Sequence, residues 1–271
     1  MPEFRSITGG LVHSYGAVSG ASSLATQLTA GSTAHTKGAV VQLTSATTHD
    51  AAWVLVQLSG ASTGADYLVD LMIGEAPEQV IIPDMYVSGR AATADFGPYL
   101  FPLFIPAGSR LAARCQASTA SATLRISVVL IAPTLLMGGS RPSVVASYGA
   151  TANSLGTNID PGETANTDSA WVEITPSTVR DHHWLVIAGR FGNRNLSAET
   201  SWRLSIGIGE DPEQVLIPNL HMSADVTSDA PYCPVVCLPV FIPAGSRLTA
   251  RVRSSSTTDG DRDVWLRLYG V

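Results

Sequence analysis

The chain states one long pattern twice. The run Phe101-Pro102-Leu103-Phe104-Ile105-Pro106-Ala107-Gly108-Ser109-Arg110-Leu111 returns as Leu238-Pro239-Val240-Phe241-Ile242-Pro243-Ala244-Gly245-Ser246-Arg247-Leu248, with Ile242 against Ile105, an offset of 137 residues. Upstream, Ile73-Gly74-Glu75-Ala76-Pro77-Glu78-Gln79-Val80 returns as Ile208-Gly209-Glu210-Asp211-Pro212-Glu213-Gln214-Val215, with Gly209 against Gly74, an offset of 135. Trp184 answers Trp53 at 131, and Ser147-Tyr148-Gly149 answers Ser14-Tyr15-Gly16 at 133. A period this long is domain-sized and lies far above the roughly 20–50 residues of solenoid repeats. The expected organisation is a first repeat with a short N-terminal arm over 1–133, a Gly/Pro linker over 134–146 and a second repeat over 147–271. Each copy, at about 130 residues, is long enough to bury its own core.

The pattern inside each copy is one of strands. Val40 to Thr44, Trp53 to Leu58, Tyr67 to Ile73, Val80 to Pro83, Leu111 to Cys115 and Leu124 to Ile131 are short β-branched or aromatic runs cut by Gly, Ser, Thr, Asp or Pro. The second copy repeats them at Trp171 to Ile174, Trp184 to Ile187, Trp202 to Ile206, Val215 to Ile217, Leu248 to Val252 and Val264 to Tyr269. No window carries a 3.6-residue apolar stripe. The expected fold is all-β, two tandem homologous antiparallel β-sandwiches of jelly-roll-like character, with seven or eight strands each. The Ile-Pro-Ala-Gly-Ser-Arg run is expected to close a hairpin between two core strands, since proline and glycine supply the corner dihedrals. Beyond it, period-two geometry puts Arg110 and Arg114 on one face, and Arg247 and Arg251 on the matching face of the second copy. These arginines are the interface candidates, against the simpler reading of a solvated outer face.

Composition bears on the setting. Charged residues make up 14% of the chain, the net charge is −6, and of the sixteen basic residues only Lys37 is lysine. Ordinary domains carry about a quarter charged residues, so a surface this poor in charge is more easily explained if neighbours cover part of it. Arginine in place of lysine points the same way, although a GC-rich genome would produce both biases. The negative balance and the lack of a basic stripe argue against nucleic acid. Cys115, Cys233 and Cys237 make no disulfide framework. Neither a signal core nor a long apolar run is seen, so synthesis in a cytoplasm without membrane insertion is expected.

The search for chemistry yields little. In Asp181-His182-His183, neighbouring side chains on a strand point to opposite faces, so the two imidazoles are not expected to meet one ion. The spacing of Cys233 and Cys237 is interrupted by Pro234, and the repeated Glu75/Glu78 and Glu210/Glu213 pairs flank turn prolines. No nucleophile elbow, phosphate loop or zinc-protease signature is present. The expectation is a non-enzymatic chain with no catalytic residue, cofactor or metal.

The duplicated Ile-Gly-Glu-x-Pro-Glu-Gln-Val-x-Ile-Pro segment, followed by Phe-Ile-Pro-Ala-Gly-Ser-Arg-Leu-x-x-Arg, resembles repeats in virion proteins of tailed bacteriophages. The resemblance implies an all-β accessory protein, a capsid decoration, head-fibre or tail component, that associates with itself and with other virion proteins. The alternative is a receptor- or carbohydrate-binding module that meets a host glycan, with Trp171 and Tyr232 exposed as its ligand residues and Ala39 and Tyr99 as their counterparts in the first copy. The second copy, with His182, His183 and the charged turn Asp259-Gly260-Asp261-Arg262-Asp263, is expected to present the more exposed surface, and the first copy to anchor.

Overall fold

Short runs of Val, Ile, Leu and aromatic residues with polar neighbours favour extended backbone, because branched side chains pack well on a pleated surface. The computed structural model describes residues 12–16, 25–88, 98–132, 142–149, 153–192, 196–224 and 234–271. Among them the first copy forms β1 Val12–Tyr15, β2 Thr26–Thr29, β3 Val41–Thr44, β4 Trp53–Ser59, β5 Asp66–Ile73, β6 Gln79–Ser88, β7 Tyr99–Phe101, β8 Leu111–Ala117 and β9 Thr123–Ile131. The second copy forms β10 Ala146–Tyr148, β11 Thr157–Ile159, β12 Val172–Thr175, β13 His182–Phe191, β14 Thr200–Ile208, β15 Gln214–Ala224, β16 Val235–Ile242, β17 Leu248–Ser254 and β18 Val264–Gly270.

Each copy is an antiparallel two-sheet sandwich. In the first, β1-β9-β4-β7, with β2 also on β9, faces β3-β8-β5-β6; in the second, β10-β18-β13-β16, with β11 also on β18, faces β12-β17-β14-β15. Apart from the β5–β6 and β14–β15 hairpins, successive strands from β2 to β9 and from β11 to β18 change sheet, which is the winding of a jelly roll. Alternation fills the gap between sheets. Leu124, Ile126, Val128 and Leu130 of β9 are buried at every second position, with Val54, Val56 and Leu58 of β4 and Tyr67, Val69 and Leu71 of β5 in the same core. Each such burial is worth roughly 1.5–3 kcal/mol.

The Ile-Pro-Ala-Gly-Ser-Arg turn is not a hairpin. It leads from β7, which pairs with β4, to β8, which pairs with β3 and β5 in the opposite sheet. Its corner is held from the β3–β4 connection: Thr47 Oγ1 donates to Pro106 O at 2.9 Å, Gly108 N to Thr47 O at 2.8 Å and Ala107 N to Asp50 Oδ1 at 2.8 Å. Thr178 and Asp181 make the same bonds to Pro243, Gly245 and Ala244 in the second copy. Gly108 and Gly245 both take φ of +78°, the left-handed corner that glycine reaches without strain. The repeat therefore preserves a sheet-crossing corner and its Thr-x-x-Asp clasp.

Strand register corrects two assignments. Val172 pairs with Ala250 where Val41 pairs with Ala113, so the counterpart of Trp171 is Val40 and not Ala39. Tyr99 pairs with Val56 where Val236 pairs with Ile187, so the counterpart of Tyr99 is Val236. At the boundary, β10 begins at Ala146, inside the segment expected to be linker, and Val145 just before it is buried and donates to Ile81 O at 2.8 Å.

Candidate functional site

The interface-candidate arginines each meet an acid of their own copy. Arg110 Nη1 donates to Glu78 Oε1 at 2.7 Å and Gly74 O at 2.9 Å, pinning the loop between β5 and β6. Arg247 repeats this with Glu213 at 3.1 Å and Gly209 O at 3.2 Å, and adds Glu173 at 2.9 Å. The Glu78 carboxyl is held below its ordinary range by its own amide and by Arg110. In each Glu-x-Pro-Glu pair it is the second glutamate, Glu78 or Glu213, that joins the clamp.

One strand further, the charges are permuted between copies. In the first, Asp70 receives Arg114 Nε at 2.8 Å and Lys37 Nζ at 2.8 Å. Burial alone would raise the Asp70 carboxyl, but Lys37, the Asp84 amide and Arg114 together bring it below its ordinary value. In the second, Ser205 replaces Asp70, and the acid is Asp168, which receives Arg253 at 2.9 Å and lies 3.6 Å from Arg251. Arg251 also lies 4.6 Å over the Trp171 ring. Trp171 is thus half-buried, one face covered by a guanidinium and its edge resting on Gly207, where a Cβ would lie 3.0 Å from the ring. Tyr232, the other ligand candidate, and Cys233 lie outside the described residues. Burial pushes the thiol of Cys115 up to about 12 and that of Cys237 up to about 11.

The histidine pair divides as strand geometry requires. His183 is exposed and tilts against Phe241, while His182 is buried with Nε2 2.7 Å from the Tyr148 hydroxyl. Burial, reinforced by Arg180, lowers the His182 imidazole to about 4. Asp181 is already committed to the turn amide of Ala244. The charged turn faces solvent only in part: Asp259 is exposed as expected from sequence, but Asp261, Arg262 and Asp263 are all buried. Asp261 caps Ser197, and Arg262 binds Asp160 at 2.7 and 3.2 Å. Asp160, Asp259 and Asp263 place carboxylate oxygens within 4.8 Å of one another, but the Arg262 guanidinium occupies Asp160 and lies 3.6 Å from Asp259, so an arginine already answers much of that charge.

A further assembly of buried polar and aromatic groups lies between the two copies. The outer face of β13 and β18 packs over the edge formed by β6 and β7, merging Val186, Ala188 and Tyr269 into the core of the first copy. Tyr269 is fully buried; its hydroxyl donates to Asp84 O at 2.9 Å and accepts from Tyr86 N at 2.9 Å. Tyr99 and Phe101 meet its ring edge-on at 5.8 and 5.9 Å. Arg267, also fully buried, donates to Asp84 O at 3.3 Å and lies 3.9 Å from the Asp84 carboxylate. Arg190 lies 3.6 Å from Asp66, and Trp53 meets Trp184 at 5.3 Å. Gln116 and His35 reach Ser154 at 2.9 and 3.0 Å.

No known family model and no curated protein matches this chain. Loose likenesses to solved structures include the N-terminal CBM22-1-CBM22-2 tandem of Xyn10C from Paenibacillus barcinonensis, at 13% identity over 97% of this chain and 92% of that one, with a TM-score of 0.26. PNGF-II matches at 8% identity over 85% of this chain and 59% of that one, TM-score 0.32. The insecticidal delta-endotoxin Cry8Ea1 from Bacillus thuringiensis matches at 8% over 78% and 42%, TM-score 0.23. Superpositions this loose carry no argument about function.

Sequence reasoning passed over the residues that join the copies. A signal was present: the outward positions Ser127 and Val129 of β9 become Arg267 and Tyr269 in β18, a pair too costly to bury without partners and too large to leave without a reason on a solvated face.

Proposed function

We propose that this chain is a non-enzymatic structural protein of a bacteriophage virion, decorating or reinforcing the capsid or tail through protein–protein contacts. The observation that carries the structural part is the join between copies: two jelly rolls fused through buried Tyr269 and Arg267 form one stiff unit rather than two beads on a linker. The interface-candidate arginines and the buried histidine are spent on holding strands and turns, as suits a load-bearing rather than a reactive protein. The virion setting is supported by the duplicated Ile-Gly-Glu-x-Pro-Glu-Gln-Val and Phe-Ile-Pro-Ala-Gly-Ser-Arg segments. Mass spectrometry of purified particles, with deletion of the gene, tests it: the chain is expected in stoichiometric amount, and particles lacking it are expected to lose resistance to heat and low salt. Its absence from particles, or a deletion without effect on assembly or resistance, overturns the reading.

A surface glycan or receptor role is the second reading, favoured by the half-exposed Trp171 ring beside Asp168, Arg251 and Arg253. It predicts glycan-array binding that Trp171→Ala abolishes with the fold intact.

A further inference from the structure

The join between the copies is asymmetric: a sheet face of the second copy covers a sandwich edge of the first. Because the copies share one topology, the first copy owns the corresponding face and the second copy the corresponding edge; among the described residues the internal join reaches that face at Trp53 of β4, which meets Trp184, and that edge at β16, which packs on β7, and leaves the rest of both surfaces open. Val12 is 54% exposed whereas its counterpart Val145 is 2% exposed. On the free edge, Ile217, Leu220, Val236 and Leu238 are only half-buried, whereas their counterparts Ile82, Met85, Tyr99 and Phe101 are fully buried, the last two against Tyr269 of the second copy. Phe241 next to this edge is 55% exposed.

We propose that a second copy of this chain occupies these surfaces, its β1-β9-β4 face seated on the β15/β16 edge of the next molecule in the geometry of the internal join. The residues have changed in concert, as such a reuse requires. Where the internal join sets Arg267 against Asp84, the free surfaces carry Ser127 and Asn219 at the same register positions. Where it sets Arg190 near Asp66, they carry Ser59 and Ser201. Where Tyr269 packs on Tyr99 and Phe101, they carry Val129 opposite Val236 and Leu238. Both members of each charged pair became neutral, and all three members of the aromatic cluster became aliphatic, so the docked surfaces bury no orphaned charge at these positions. Asn219 also keeps the left-handed backbone of Asp84, at φ of 49° against 55°, so the edge has kept its shape. Val12 would then lie against Leu216 as Val145 lies against Ile81. A face-to-edge contact is heterologous, and repetition of it gives an open stack or a closed ring rather than a two-fold dimer.

This deepens the assembly reading above and rests on it only for its biological setting; the surfaces are tested on purified full-length chain, the setting on particles. Sedimentation velocity across a concentration series is expected to show reversible association of the wild type. Val12→Glu, at an exposed position that cannot disturb the core, is expected to weaken it at least about tenfold by burying an unpaired charge. Ser127→Arg is expected to weaken it similarly, and the double variant Ser127→Arg/Asn219→Asp, which sets an arginine and an aspartate at the positions of Arg267 and Asp84 although Asp168 stands where Lys37 binds Asp84 at 2.7 Å, to restore it in part. A wild type that stays monomeric up to millimolar concentration overturns the proposal. Association indifferent to Val12→Glu overturns it as well, as does a double variant no tighter than Ser127→Arg alone.

Discussion

Tyr269→Phe separates the role of a single hydroxyl from that of the ring that carries it. The ring contacts with Tyr99 and Phe101 stay, while the Tyr86 amide loses its acceptor and Asp84 O loses a donor. Asp84 O still receives Arg267 Nη1 at 3.3 Å, so the unmet group is chiefly the Tyr86 N–H. Leaving one buried donor unpaired costs about 1–3 kcal/mol, which in a protein of this size lowers the melting temperature by roughly 2–4 °C per kcal/mol. Tyr269→Ala removes the ring as well and is expected to cost about 3–5 kcal/mol. The assay is urea unfolding followed by tryptophan fluorescence, with Trp53 and Trp184 reporting at the join and Trp202 inside the second core. Because the join couples two cores, the single transition of the wild type is expected to split in Tyr269→Ala as the copies begin to unfold separately. A Tyr269→Phe loss below about 0.5 kcal/mol would refute the argument that this hydroxyl is a buried, paired link.

Two further outcomes follow from His182. Its imidazole titrates near 4 when folded against 6.5 ordinarily, so the unfolded chain takes up the proton first as pH falls; the stability this group contributes is full above pH 6.5 and is lost between 6.5 and 4. The difference in urea midpoint between wild type and His182→Gln is therefore expected to shrink as pH drops through that window, and a pH-independent difference would contradict the buried neutral imidazole. His182 and Gly270 also replace Ala51 and Leu130 of the first copy, and a Cβ on Gly270 would lie 2.5 Å from the imidazole. Gly270→Leu alone is expected to clash and His182→Ala alone to leave a cavity, whereas the double variant recovers about 1–3 kcal/mol of coupling in a double-mutant cycle; strict additivity would show that the two sites do not share one space.

Legibility in the sequence followed the strength of local patterning. Long alternating runs such as Leu124 to Ile131 announced their strands because one face is buried and the other is not. The short strands β1, β2, β10 and β11 carry four residues or fewer and take their place only by pairing with β9 and β18, so no local pattern marks them. The Pro-Ala-Gly-Ser corner is the same chemistry whether it closes a hairpin or crosses between sheets; what decides is the Thr47 and Asp50 clasp, some sixty residues away. The charged turn around Asp261 reads as exposed because charge usually is, and its burial depends on Asp160 and Ser197 arriving from elsewhere to meet it.

The same limit applied to the join, and there the duplication supplies what a single copy withholds. Two copies under one fold requirement should agree wherever the fold alone dictates the residue, as they do at the Thr-x-x-Asp clasp and the arginine clamp. They are free to differ wherever surroundings differ, and the outer face of β18 differs from that of β9 in size and charge at successive outward positions. Disagreement between copies at positions of equal register is thus a map of unequal surroundings. On that map the expected division of labour, with the second copy more exposed, is incomplete. The second copy gives up a sheet face to the first, and what it exposes in return is the β15/β16 edge, to which no further strand pairs among the described residues and which half-buried aliphatic side chains flank, a surface that sheet proteins seldom leave without a partner.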